Sequence, residues 1–139
     1  MKLNKNNSGF TLLEIVIVII IVGVLASLAL PKFFSTVEYS KSTEALTAMA
    51  SLRQSMERCH LQSNETYVGC DQSNIDMSDP TNSTGSHFAY AIAGQTTTAY
   101  TITATRNTYD GGDGASQITL TVTSTGVTRA GTSVFAGIR

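Results

Sequence analysis

Between Ile15 and Leu30 this chain carries no charged residue, and the apolar run starts abruptly at Phe10, after a polar leader that holds Lys2 and Lys5 and no acid. Wound as a helix, the stretch from Phe10 to Leu30 measures about 31 Å at ~1.5 Å per residue, close to the thickness of a bilayer hydrocarbon core. It can therefore span a membrane. The leader lysines would hold the N-terminus in the cytoplasm and send the C-terminal part outward. A secretory signal has a shorter apolar region followed by a small-residue cleavage site, which Ala26-Ser27-Leu28-Ala29 imitates. Glu14 argues against that reading, because a carboxylate inside an apolar run is costly in lipid and gives a disposable signal nothing in return.

The chain of 139 residues fits one small domain beyond this segment. That remainder is rich in Ser, Thr, Gly and Asn and poor in large aliphatics, so its core is modest. A formal charge of −1, with acids and bases spread along the chain, offers no polybasic block and makes no nucleic acid evident as a partner. Two cysteines, Cys59 and Cys70, favour one disulfide in an oxidising compartment. The rival is a metal site built from Cys59, His60, Cys70 and His87, whose spacing matches no zinc pattern.

Gly9-Phe10-Thr11-Leu12-Leu13-Glu14, followed by the apolar run and Pro31, resembles the class III signal and N-terminal helix of type IV pilins and type II secretion pseudopilins. The resemblance implies cleavage by a prepilin peptidase after Gly9, N-methylation of the new terminus Phe10, and retention of the apolar helix in the product. It also implies that Glu14 pairs with the N-terminal ammonium of a neighbouring subunit during assembly. That pairing has a physical basis: two opposite charges placed in an apolar medium offset each other's desolvation. The family's cysteine pair usually lies nearer the C-terminus, so Cys59 and Cys70 depart from the commonest arrangement.

Pro31 cannot donate a helical hydrogen bond and crowds the preceding turn, so the helix should kink there and continue. Past it, Val37, Ala45, Leu46, Met49, Leu52 and Met56 recur at three- and four-residue spacings between charged positions, which predicts an amphipathic second half of the same helix. Alternation over His87 to Ala93, Ala99 to Arg106 and Ile118 to Thr123 predicts strands, with a fourth from Gly126 to Ala130. The fold class is α+β, one long kinked helix packed on an antiparallel sheet, as in pilins. Residues 1–9 form the leader, 10–30 the transmembrane and assembly helix, and 31–139 the globular domain with the amphipathic half-helix.

The loop from Asp110 to Gly114 has the composition of a solvated hairpin turn. Asp110 and Asp113 are only a minimal start on a calcium site, so no metal or other cofactor is expected. Asn64-Glu65-Thr66 and Asn82-Ser83-Thr84 match the N-glycosylation pattern, a motif frequent by chance in polar loops. Phe33, Phe34 and Tyr39 could meet aromatic residues of neighbours. Neither His60 nor His87 has a catalytic partner in a motif, and the chain is not expected to be an enzyme.

The resemblance implies a structural subunit that starts in the inner membrane and ends in an extracellular filament serving adhesion, motility or DNA uptake. The implied partners are further copies of itself, minor pilins, the prepilin peptidase, and the inner-membrane assembly platform with its ATPase. The alternatives are a pseudopilin in a periplasmic secretion piston and a monomeric module on an uncleaved anchor.

Overall fold

In a computed structural model that describes residues 9–139, helix α1 runs from Leu12 to Gln62, 51 residues without a break. The leader lysines lie outside the described residues. Thr11 and Glu14 start the helix with a reciprocal cap. The Thr11 hydroxyl accepts from the Glu14 amide at 3.2 Å, and the Glu14 carboxylate accepts from the Thr11 amide at 2.8 Å. Two of the amides left unpaired at any helix start are thereby satisfied. Pro31 sits inside the helix, as expected, and leaves the Ser27 carbonyl without its usual amide donor.

The chain divides into two compact units, Met1–Thr36 and Val37–Arg139. Within the first, the apolar side chains from Phe10 to Phe34 have almost no cover; Leu12 is 83% exposed and Leu28 74%. This stretch is long and apolar enough to cross a membrane.

The second unit builds its own core. Strands β1 (Phe88–Ala93), β2 (Tyr100–Arg106), β3 (Gln117–Thr123) and β4 (Gly126–Gly131) form one antiparallel sheet in the order β1-β2-β3-β4. Each strand pairs with its neighbour in sequence, the simplest meander for consecutive hairpins. Period-two alternation turns Tyr100, Ile102 and Ala104 of β2 and Ile118, Leu120 and Val122 of β3 inward. The β-branched threonines between them pair across the outer face, Thr103 opposite Thr119 and Thr101 opposite Thr121.

Against the inner face lies the stripe Ala45, Met49, Leu52 and Met56 of α1, all fully buried. Leu46 is only partly buried and Val37 is 37% exposed, so the stripe is narrower than its spacing predicts. Ser42 and Ser55 share it, being small enough to let helix and sheet approach closely. Phe88 and Phe135 meet within this core at 5.6 Å between ring centroids.

Cys59, in the last turn of α1, is bonded to Cys70, with 6.0 Å between the Cα atoms. The bond ties the helix end to the following segment, which then crosses to the edge of β1. There the Thr81 hydroxyl accepts from the Tyr90 amide at 2.9 Å and the Gln72 amide donates to the Tyr90 carbonyl at 3.2 Å.

Candidate functional site

Taken from the N-terminus, the first candidates are Gly9, Phe10 and Glu14. Gly9 has open space around it and Phe10 is 83% exposed, so both are accessible. Glu14 has no cation partner among the described residues; its hydrogen bonds come from Thr11, including the hydroxyl at 3.0 Å. One turn of helix therefore supplies the carboxylate with local donors and leaves it at an exposed position. The sequence reading did not anticipate this cap, although Thr-x-x-Glu ahead of an apolar run is its signature. Around Pro31 the rings of Phe33 and Phe34 meet edge to face at 6.2 Å and both are exposed.

The second feature is a charged clasp inside the globular unit. Arg106 closes β2 on the inward side of the alternation, so its guanidinium is carried into the core and is 1% exposed. A buried guanidinium must have its donors met. Here Nε donates to Glu38 of α1 at 2.8 Å, and Nη1 donates to the carbonyls of His87 and Tyr109 at 3.1 and 3.0 Å. The Arg106 guanidinium, with help from Lys41, pulls the Glu38 carboxyl down to about 2, against some opposition from burial.

Lys41 adds a second layer. Its ammonium donates to Glu38 at 2.8 Å and to Asp110 at 3.1 Å. Glu38 holds the Lys41 ammonium above its ordinary value, and Lys41 in turn lowers the Asp110 carboxyl. His87 stands between Glu44, at 2.7 Å from Nδ1, and Asp110, at 3.5 Å from Nε2. The loop around the clasp requires a glycine at Gly112, where an added Cβ would fall 1.9 Å from the Asn107 carbonyl oxygen.

The loop from Asp110 to Gly114 is thus more than a solvated turn. Asp110 belongs to the clasp. Asp113 accepts from the amides of Ala115 and Ser116 and from the Ser116 hydroxyl, and these bonds lower its carboxyl. The two carboxylates serve different neighbours. The rival metal set is also dispersed: Cys59 and Cys70 are joined, His60 stacks on Tyr67 at 4.2 Å, and His87 lies in the clasp. Burial first, and the Glu57 carboxylate second, push the Tyr67 hydroxyl up to about 12. Asn64, in a left-handed turn at φ 55°, and Asn82, in a short turn, mark the two glycosylation motifs.

Arg106 and the clasp were missed from sequence. Extending the inward parity of Tyr100, Ile102 and Ala104 by two residues would have placed Arg106 in the core, and a buried arginine demands an acid on the facing helix.

Comparison with known proteins meets this geometry from two sides. The sequence model of the prokaryotic N-terminal methylation motif matches residues 4–30, and that of the family described as type IV minor pilin ComP, DNA uptake sequence receptor, matches residues 31–120. Among curated proteins, the chain is 31% identical over 90 residues to a type IV major fimbrial protein FimA of Dichelobacter nodosus, covering 63% of this chain and 56% of that one. It is 43% identical over 51 residues to the type IV major pilin protein PilA of Myxococcus xanthus, covering 37% of this chain and 23% of that one. It is 33% identical over 72 residues to the type II secretion system core protein G of Vibrio cholerae, covering 52% of this chain and 49% of that one. The chain thus spans about half or less of the length of these relatives. No solved structure matches. With its methylation motif, its exposed apolar half-helix, and a matched region that holds the buried stripe of α1, strands β1 and β2 and the start of β3, the chain belongs to the family of type IV minor pilin ComP, the DNA uptake sequence receptor, within the type IV pilins.

Proposed function

We propose that the chain is the structural subunit of a type IV pilus-like filament, cleaved after Gly9, methylated on Phe10, and polymerised through the apolar half of α1. The observation that carries this reading is the contrast between that half-helix, bare on every side, and the globular unit, which already has its own core. An apolar surface of this extent needs lipid first and other helices later. Gly23, Ala26 and Ser27 allow close helix approach in the second state. Glu14 leaves its local donors and pairs with the ammonium of a neighbour's Phe10, and Pro31 frees a backbone carbonyl within the packed region.

In this reading the precursor sits in the inner membrane with its sheet domain outside the cytoplasm. The prepilin peptidase, the assembly platform with its ATPase, and minor pilins are its partners. The test is intact and N-terminal mass spectrometry of filaments sheared from cells. A subunit beginning at methylated Phe10 supports the reading, and an intact Met1 overturns it. Glu14→Ala should abolish filaments while leaving cleavage and insertion unchanged. A bulky residue at Gly9 should trap the precursor.

Two further readings each have an observation behind them. Similarity to a type II secretion core protein G favours a periplasmic piston, and processed protein confined to membranes would support it. The family's description favours DNA uptake as the filament's task. Sheared filaments that retain duplex DNA at low salt and release it steeply as salt rises would support that task.

A further inference from the structure

We propose that the globular units dock side by side, the acidic β1 edge of one copy seated against the basic β4 edge of the next; this rests on the filament reading. The two edges of the sheet differ in cover and in charge. On the β1 side the chain covers its own edge through Thr81 and Gln72. The segment from Gln62 to Ser86, which supplies these two bonds, holds Glu65, Asp71, Asp76 and Asp79 and no base. Asp76 is neutralised by Arg58 at 2.7 Å, whereas Glu65, Asp71 and Asp79 have no cation within ion-pair distance among the described residues.

The β4 side is the reverse. No acid follows Asp113 in the sequence, and β4 is exposed along all but its last residue. Arg129 of β4 and Arg53 of α1 flank a recess of about 290 Å³ between helix and strand, floored by Leu46, Ala50 and Leu120. Arg139 joins the same two arginines around an adjoining hollow. None of the three has a carboxylate within ion-pair distance among the described residues. Glu57 also lines the recess, where it accepts from the Tyr67 hydroxyl at 2.9 Å.

An open strand edge invites a partner, and proteins commonly cover or charge such edges. Cationic side chains around a recess lined by Leu46, Ala50 and Leu120 suit a polypeptide that brings carboxylates together with apolar side chains. The complementary surface is present on the opposite edge of the same molecule. A contact between two different surfaces of one chain is heterologous, and when its rotation does not close it extends into an open helix.

The test is charge reversal in the full-length chain in cells. Arg129→Glu with Arg139→Glu should lower sheared-filament yield at least tenfold while processed subunit in the membrane stays at its normal level. Adding Glu65→Arg and Asp71→Arg to the same chain should restore filaments. A gentler variant, Arg129→Lys, should allow carbodiimide cross-linking in assembled filaments from the substituted side chain to Glu65, Asp71 or Asp79 of another copy. Normal filaments from the first variant would overturn the proposal, as would failure of both rescue and cross-linking. Normal filaments that no longer retain duplex DNA would assign the arginines to nucleic acid instead. Absence of filaments even from unaltered cells would overturn the filament reading, and this docking with it, whereas filaments lost only on charge reversal leave that reading standing.

Discussion

One helix serves two opposite surroundings. In its first half, Leu12 and Leu28 are 83% and 74% exposed; in its second, Ala45, Met49, Leu52 and Met56 are fully buried. Both halves are apolar in part, yet only the second carries charges at regular intervals, Glu38, Lys41, Glu44, Arg53 and Glu57, that give it a wet side. A helix with a wet side buries one stripe against its own chain, and a helix apolar all round needs a different medium. The difference lies both in overall hydrophobicity, which is far higher in the first half, and in the spaced charges that give only the second half a wet side.

If the second half and its sheet stand alone energetically, the largest losses should come from the clasp and the buried stripe. Arg106→Ala should destabilise the globular unit by about 3 kcal/mol, because it leaves several carbonyls without a donor beside a void and Glu38 with Lys41 as its one cation. The measurement is denaturant unfolding of the full chain in micelles, followed by near-ultraviolet dichroism. Leu52→Ala, at a fully buried position, should cost about 3 kcal/mol through lost transfer energy and a residual cavity. Cys59→Ser with Cys70→Ser should cost slightly less, about 2.5 kcal/mol, by freeing a short loop in the unfolded chain.

Acid should then probe the clasp more gently. Glu38 titrates near 2 in the folded chain against an ordinary value of 4.5, so its contribution is complete above about pH 4.5 and fades as pH falls toward 2. Glu38→Gln should lower the melting temperature at neutral pH and flatten that part of the acid limb. The smallest effect belongs to the other half: Ile19→Ala should shift unfolding of the globular unit by less than about 0.5 kcal/mol. A larger shift there would break the comparison, since it would show the bare helix contributing to the core.

Where pattern repeats, sequence and structure agree closely. The expected strands from His87, Ala99 and Ile118 begin at Phe88, Tyr100 and Gln117, and the fourth ends one residue later than expected, at Gly131. Threonines alternating with Ile, Leu and Val leave a strand only one parity that keeps its dry face inward. Core residues outside repeating segments were invisible: Tyr67, Ile75, Phe135 and Ile138 are buried from loops and short turns. No period announces them; a loop residue is buried by the path of the chain. The N-terminal processing signature could be read because it is a contiguous motif, whereas the clasp joins Glu38 to Arg106, 68 positions apart.

The reciprocal bonds between Thr11 and Glu14 concern time as much as shape. Every residue in that cap lies downstream of Gly9, so the proposed cut would leave it whole and the trimmed helix would not have to re-form its first turn. The Thr11 donors also reduce the cost of holding this carboxylate in an apolar medium.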